Sequence, residues 1–415
     1  MKSSGDLLKF LDKIKNFSEL EQKLSDIVND KEKGDLFELF CQTYLKTIYK
    51  KQNFKSIQLF KDVDTKTLEK LNLRLSKDYG IDIVAITDSE EIWTVQVKFR
   101  QSDQLTWTEL STFKASSEKA DFTMLMSNVS KVNHPHQTLT NFSSILRNEF
   151  EALTEEDFSN IKASLKGQVV KPIVYSPRPH QIEAINSAIK HFKKNDLGQM
   201  IHACGTGKTL TSLWIKEALK PKNTIVYVPS LSLLKQTLEE WTKHKSLNFS
   251  IKCVCSDQSV SRTAQELDEA IMDVTELGVP VTTNPKEIAD FLKSTKKDKI
   301  IFSTYQSAPV IIEAIKSLPE FSFDFGVFDE AHRTASKSEH LFTKSLNIPI
   351  QKKLFMTATP KLYAPHLRIR AKEEDILLCS MDDTAIYGKV FHEIKFGEAI
   401  KLNLLSDYKI KVIIV

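Results

Sequence analysis

The sequence predicts an α/β protein of two units in series, and three observations predict it. Between residue 30 and about residue 126 the pattern reads helix, strand, strand, strand, helix, strand. From Tyr175 onward, short apolar strands alternate with helices, which implies a parallel sheet with right-handed crossovers. Inside that second run, residues 200–209 form an apolar entry and a loop ending in Gly-Lys-Thr, followed by helical spacing over 210–219. At 415 residues the chain is too long for one ordinary core, and at about 150 residues per domain two or three units are expected.

Charge is nearly balanced, 58 Lys and Arg against 54 Asp and Glu for a net +4. Contacts with nucleic acid must therefore come from local clusters and not from a global basic field. The five cysteines have no paired spacing, and Cys253-x-Cys255 alternates within an apolar run as strand residues do, not as a metal site does. No stretch approaches the roughly eighteen apolar residues of a membrane span. The opening Met1-Lys2-Ser3-Ser4-Gly5-Asp6 starts no signal peptide. A cytoplasmic protein with reduced thiols and no membrane partner is expected.

In chain order, Leu7, Leu8, Phe10, Leu11 and Ile14 share a helical face, so residues 1–29 are expected to form an amino-terminal docking helix. Gly34-Asp35-Leu36-Phe37-Glu38 opens a second helix running to about Tyr49. Residues 56–60 read as a short strand and the polar piece 61–77 as loop. Residues 80–86 form an apolar strand carrying one acid, Asp82, and after a turn residues 92–99 alternate as the next strand. A helix over 107–119 and a strand over 121–126 follow. Residues 128–171 read as helical and polar, and His134 and His136 as loop residues, not zinc ligands. Lys166-Gly167-Gln168 followed by Lys171-Pro172 has the composition of a hinge, so 151–174 is expected as a linker.

Chemistry in the first unit concentrates in three side chains. Gln96 and Lys98 are two apart on one strand and project from one face, and Asp82 lies on the strand before it across a short turn. An acid with neighbouring oxygen ligands can hold Mg²⁺, which would polarise a phosphodiester and acidify an attacking water, with Lys98 steadying the developing charge. The plainer alternative is a hairpin with snorkelling surface residues. A carboxylate inside Gly-Ile-Asp-Ile-Val, however, needs a partner. Glu38 in its Gly-x-x-x-Glu helix, Gly-Ile-Asp82 and Gln96-Val97-Lys98 together resemble the Mrr-type variant of the restriction-endonuclease-like PD-(D/E)xK fold, over residues 30–150. The resemblance implies a mixed-sheet α/β domain. It also implies Asp82 as metal ligand, Gln96 at the substituted acid position, Lys98 as catalytic lysine and Glu38 assisting from the helix. Gln is a weaker metal ligand than Glu, which bears on cleavage more than on fold.

In the second unit, Ser176-Pro177-Arg178-Pro179-His180-Gln181 precedes a helix whose apolar face is read as Ile182, Ile185, Ile189 and Phe192. Gln181 can read an adenine edge with its donor and acceptor. Gly205, Thr206 and Gly207 let backbone N–H groups approach a polyphosphate, Lys208 reaches the β/γ-phosphates and the Thr209 hydroxyl can ligate Mg²⁺. His202 stands where the first Gly of the usual pattern would be. Five further strands are expected at 224–229, 251–255, 299–303, 323–328 and 353–356, with Asn284-Pro285 capping a helix in the one long connection. Asp329-Glu330-Ala331-His332 places an acid pair at a strand end, Asp329 for Mg²⁺ and Glu330 for orienting the attacking water. Thr357-Ala358-Thr359 ends the last strand with two hydroxyls suited to coupling phosphate state to movement.

These motifs resemble the first RecA-like (P-loop) domain of superfamily 2, DEAH-box helicases, over residues 175–375. The resemblance implies a parallel-sheet α/β domain that binds ATP and Mg²⁺. Pro229-Ser230-Leu231 and Ser303-Thr304-Tyr305-Gln306 match segments that touch the nucleic-acid backbone in that family. A nuclease fused ahead of such a motor is similar to the amino-terminal part of type ISP restriction enzymes. That order implies ATP-dependent restriction and translocation on double-stranded DNA, with a second motor domain, a methyltransferase and a specificity region in the full-length protein. Residues 376–415 are expected to be a connector and the start of a second RecA-like domain. On that expectation ATP·Mg²⁺ is bound but turned over poorly. Two alternatives stand beside this reading: a nucleotide- and DNA-binding fragment without catalysis, and a plain metal-dependent nuclease with a vestigial motor.

Overall fold

The computed structural model describes residues 2–75, 77, 79–133, 141–170, 175–255, 273–296, 298–336, 342–364, 366–367, 369 and 378–407. His134 and His136 lie outside them. The chain divides into two compact units, residues 1–173 with 272–281, and residues 174–271 with 282–415.

The first unit begins with two helices where one was expected, α1 (Ser4–Phe10) and α2 (Phe17–Ser25), because Asn16 caps a fresh start by accepting from the Glu19 N–H. They are followed by α3 (Asp30–Thr47), β1 (Phe54–Leu59) and α4 (Thr65–Leu71). The stretch 61–77 is thus not plain loop. Asp64 caps α4 through the Thr67 N–H, and Leu68 and Leu71, three apart, are buried. Then come β2 (Ile83–Thr87), β3 (Ile92–Lys98), β4 (Gln104–Thr106), α5 (Ser111–Ser116), β5 (Phe122–Ser127), β6 (Lys131–Asn133) and β7 (Phe142–Ile145). Two helices end the run, α6 (Arg147–Glu151) and α7 (Glu155–Leu165).

The main sheet has the order β1-β2-β3-β5-β7, antiparallel through β3 and parallel from β3 to β7, so it is mixed as expected. Alternation sorts its side chains: Ile83, Ala85, Val95 and Val97 join Phe37, Phe40 and Tyr44 of α3 in one core, while Val84, Ile92 and Leu125 join Leu68, Leu71 and Phe113 in the other. Two boundaries need correction. Residues 1–29 are not a separate appendage, since Leu7, Leu11, Ile14, Phe17 and Leu20 sit in the α3 core. Residues 151–174 are not a free linker, since Phe158 and Ile161 of α7 are fully buried in that same core. Strand β7 was hidden in a stretch read as helical; four residues with two serines carry no period, and their partner strand β5 decides their state.

The second unit runs α8 (Pro179–Phe192), β8 (Leu197–His202), α9 (Lys208–Leu219), β9 (Asn223–Val228), α10 (Leu231–His244) and β10 (Ser250–Val254). It continues with α11 (Pro285–Lys293), β11 (Lys299–Thr304), α12 (Ala308–Lys316), β12 (Phe323–Phe328) and β13 (Ile350–Thr357). It ends with α13 (Thr384–Tyr387), β14 (Lys389–Ile394) and α14 (Phe396–Lys401). Every pairing in the sheet β10-β11-β9-β12-β13-β8-β14 is parallel. All carboxyl ends therefore share one edge of the sheet.

Two expectations change here. The buried stripe of α8 is Gln181, Ala184, Ala188 and Phe192, whereas Ile182 is exposed; small residues let the helix lie close to its neighbours. Within the stretch 376–415, expected as a connector and the start of a second domain, residues 389–394 form β14, which pairs with β8 as the seventh strand. Gly388, at φ +71°, permits this, because a Cβ there would fall 2.1 Å from the Leu197 carbonyl oxygen. Residues 408–415 lie outside the described residues. Among the described residues no helix is long and apolar enough to cross a membrane.

Candidate active sites

In the first unit Asp82 immediately precedes β2. Its backbone is held from both sides, its N–H donating to Val95 O at 2.9 Å and its carbonyl accepting from the Phe60 N–H at 2.9 Å. The carboxylate accepts the Val97 N–H at 2.6 Å, which aims it across β3 toward the strand carrying Gln96 and Lys98. Gln96 is buried, and its Oε1 has no hydrogen-bond partner among the described residues. A buried carbonyl-type oxygen without a donor is costly unless a cation or water meets it. Gly80, at φ +68°, makes room, since a Cβ there would lie 2.8 Å from Gln96 Nε2.

Glu38 approaches Asp82 from α3. Burial first, and then the Asp82 charge, push its carboxyl up to about 8, with Lys61 and Lys98 pulling the other way. Two carboxylates beside a lysine make an oxygen-rich set with too little positive charge. A hard divalent cation fits that deficit. The structure thus brings Glu38, Asp82 and Lys98 within electrostatic reach of one another, while Gln96, two positions before Lys98 on β3, has its side chain beside Gly80 on the sheet face away from the α3 core.

In the second unit the loop after β8 turns through Gly205 at φ +81° and Gly207 at φ +82°. A Cβ on Gly207 would lie 2.7 Å from Gln181 Nε2. Thr206 Oγ1 donates to Ala203 O at 2.8 Å, and His180 Nε2 lies 3.0 Å from Thr206 O, so the loop is braced from α8. Gln181 donates to Gly207 O and to Thr211 Oγ1, both at 3.2 Å, and accepts the Arg178 N–H at 2.9 Å. Its amide is thus engaged with the loop and the start of α8. Lys208 Nζ donates to His202 O at 3.3 Å and stands 4.0 Å from Glu330 Oε1.

Glu330 has φ +46° and ψ 46°, a left-handed conformation unusual for a glutamate and a form of strain found at functional sites. Its N–H donates to Asp329 Oδ1 at 2.9 Å. Burial, then the Glu330 charge, raise the Asp329 carboxyl to about 6, against the pull of Lys208. For Glu330 burial also pushes upward, but the hydrogen bond from His332 and the Lys208 charge outweigh it and leave the carboxyl below its ordinary value. His332 Nδ1 is 3.3 Å from Glu330 Oε2 and 2.8 Å from Thr357 Oγ1, linking the acid pair to the end of β13. The Thr359 N–H donates to Thr357 Oγ1 at 3.2 Å, so the two threonines form one turn.

Sequence reading gives no place here to Trp241 or His392, and names Tyr305 only within the segment 303–306. Trp241 Nε1 donates to Thr209 O at 3.0 Å, tying α10 to the first turn of α9. Tyr305 OH donates to Asp329 O at 2.7 Å. His392 of β14 lies 2.8 Å, nitrogen to nitrogen, from His202; burial, then His392, lower His202 to about 3 and keep it neutral. Long-range pairs of this kind carry no local signal. Of the five cysteines only Cys204, inside the loop, is exposed.

Comparison with known proteins finds a match for each of the two units. Residues 174–362 match a family described as type III restriction enzyme, res subunit, and residues 45–166 a family described as restriction endonuclease. The DNA-bound ATP-dependent type ISP restriction-modification enzyme LlaBIII is 30% identical with a TM-score of 0.73, over 93% of this chain and 26% of that one. A nuclease-deletion mutant of the type ISP enzyme LlaGI, in complex with a DNA substrate mimic, is 36% identical with a TM-score of 0.43, over 55% of this chain and 21% of that one. A probable helicase, A859L, of African swine fever virus is 26% identical over 238 residues, 57% of this chain and 24% of that protein. The chain spans about a quarter of the length of each of these proteins.

Proposed function

From a chain that joins a restriction-endonuclease domain of Mrr type to a helicase-type domain of the type III restriction enzyme res family, both of them families of hydrolases acting on DNA, we propose an ATP-dependent DNA restriction component. It binds ATP·Mg²⁺ in the second unit, engages duplex DNA and cuts phosphodiester bonds with Mg²⁺ in the first. The observation that carries this reading is the meeting of Lys208 with Glu330, and of Glu330 with Asp329, along the shared carboxyl edge of a parallel sheet.

In the motor, the backbone N–H groups of 205–209 and the start of α9 would receive the phosphates, with Lys208 moving from Glu330 to the β/γ-phosphate oxygens. Thr209 and Asp329 would hold the magnesium, which supplies charge neutralisation on the phosphates. Glu330, released from Lys208 and held by His332, would orient the attacking water. Pro229–Leu231, through the Ser230 hydroxyl and N–H groups, and within Ser303–Gln306 the half-buried Gln306, would meet the DNA backbone on the same sheet edge. The Ser303 and Tyr305 hydroxyls are buried and engaged with Val254 O and Asp329 O. In the nuclease, Asp82 and Glu38 would hold Mg²⁺, which acidifies a bound water. Lys98 would steady charge on the scissile phosphate.

Cys204 provides a direct test of nucleotide binding. A maleimide is expected to modify it readily in the unliganded chain, and saturating ATP·Mg²⁺ to slow that reaction at least about tenfold by burying the loop. Equal labelling rates with and without nucleotide would remove the motor reading.

Glu38 makes magnesium binding at the nuclease site depend on pH. With its carboxyl at about 8 it is protonated at neutral pH, so binding a cation must release that proton. Affinity should rise roughly tenfold per pH unit between pH 6 and 8 and flatten above about 8. Because the folded value lies above the ordinary 4.5, Glu38 contributes stability that is full below about 4.5 and lost as pH rises through about 8. The metal-free nuclease should therefore melt lower at pH 8.5 than at pH 6, and Mg²⁺ should close the gap. Titration calorimetry in two buffers reads the proton, and Glu38→Gln should flatten the profile; a profile unchanged in that variant would exclude Glu38.

A further inference from the structure

The first unit contains a second piece of chain. Residues 272–281 belong to it, although in sequence they lie between β10 and β11 of the parallel sheet. This piece is a turn of 3-10 helix at Val274–Leu277, started by Asp273, whose side chain accepts the Thr275 N–H at 2.8 Å, and it packs against edge strand β7. Val274, Leu277 and Val279 are buried.

Its main chain is gripped from the nuclease side. Ser143 of β7 donates to Thr275 O, and Tyr49 OH donates to Gly278 O. The buried ammonium of Lys51 donates to Leu277 O at 3.0 Å and lies 3.9 Å from Glu149. Gly278, at φ +70°, lets Lys51 pass close by, since a Cβ there would meet Lys51 Nζ at 3.3 Å. Three donors on the carbonyls of Thr275, Leu277 and Gly278 hold a path of backbone, whatever side chains it carries. An edge strand is covered in the process, which removes an exposed ladder.

After residue 281 the chain returns to the motor sheet close to its chemistry. The Thr282 N–H donates to Cys253 O at 3.0 Å, and Ser303 Oγ of β11 donates to Val254 O at 3.0 Å. Two residues along, Tyr305 OH donates to Asp329 O at 2.7 Å. A contiguous run of hydrogen bonds and covalent chain thus connects the acid pair with residue 281.

We propose that residues 273–281 are a tether through which the nucleotide state of the motor reaches the edge strand of the nuclease, an inference that rests on the motor reading above. Movement of Asp329 on binding ATP·Mg²⁺ shifts β11 and β10, and the tether passes that change to β7 and, through β5, to the strand carrying Gln96 and Lys98.

Hydrogen exchange on the full chain tests this, with and without a non-hydrolysable ATP analogue and Mg²⁺. The expected result is slowing at α9, which reports nucleotide binding itself, together with roughly tenfold slowing at 142–145 and 273–281. In Tyr49→Phe/Lys51→Met the α9 response should persist while the response at 142–145 disappears; Tyr49→Phe alone, the milder change, should halve it on a logarithmic scale if the double variant does not fold. Protection at α9 with none at 142–145 overturns the tether and leaves the motor reading standing. A response at 142–145 that survives in the variants also overturns it, and no protection at α9 overturns both.

Discussion

Replacing Lys208 by alanine is expected to lower ATP turnover by roughly 10²–10³-fold, the usual cost of deleting one preorganised charge from a phosphoryl-transfer site. Lys208 is the cation that the structure places between His202 O and Glu330. Its removal acts twice. The phosphates lose their ammonium, and Asp329, whose carboxyl burial and Glu330 already raise to about 6 and Lys208 holds down, climbs further toward the protonated form. Magnesium affinity should fall with it, most sharply below pH 7. Steady-state turnover with and without duplex DNA, and cleavage of long DNA with ATP present, measure the effect. Because α9 is otherwise anchored by Trp241 and Gln181, the thermal transition should move little. Turnover within about threefold of the parent chain would show that this lysine does not face nucleotide at all.

Lys98→Ala should reduce magnesium-dependent phosphodiester cleavage by about 10³-fold, while ATP binding at the motor stays as it was. The half-buried Lys98 is a cation beside Glu38 and Asp82, so its loss leaves the acid pair still less compensated and pushes Glu38 above its already raised value. The variant should consequently take up Mg²⁺ with a steeper dependence on pH while failing at the chemical step. Single-turnover cleavage of a short duplex separates these two effects. A residual nicking rate equal to that of the parent would locate the activity in another protein of the preparation.

Much of both sites was legible in one dimension because the chemistry sits on local motifs. Gly205–Thr209 and Asp329–His332 lie at strand ends, and once the strands are parallel their carboxyl ends must meet on one edge. Asp82, Gln96 and Lys98 lie on neighbouring antiparallel strands joined by a tight turn, so their proximity follows from pairing alone. Glu38 is different. Its Gly-x-x-x-Glu setting is local, but the shift of its carboxyl comes from the burial of its place on α3 and from Asp82, forty-four positions away in sequence.

Boundaries were the poorer part. The 151–174 stretch has the polar composition of a linker, yet Phe158 and Ile161, three apart, are enough to seat α7 in the core. Residues 389–394 fall inside the stretch 376–415 expected as a connector and the start of a second domain, and only the neighbouring β8 makes them the seventh strand of the parallel sheet. On α8 the isoleucines and Phe192 suggest the buried face, but Ala184 and Ala188 share it with Phe192 instead, small side chains letting the helix lie close to α9, β8 and β14.

What the sequence determined by itself was therefore the chemistry and the class: a mixed-sheet unit with an oxygen-rich acidic site, then a parallel-sheet unit with a phosphate loop and an acid pair. Tertiary structure alone decided which residues brace those sites and where each unit ends. It alone placed 273–281 in the nuclease, seated by Tyr49, Lys51 and Ser143. Periodicity and turn chemistry act over a few residues, so a single strand or loop can announce itself. Contacts across more than two hundred positions depend on which surfaces remain to be buried after the chain has folded, and nothing local records that.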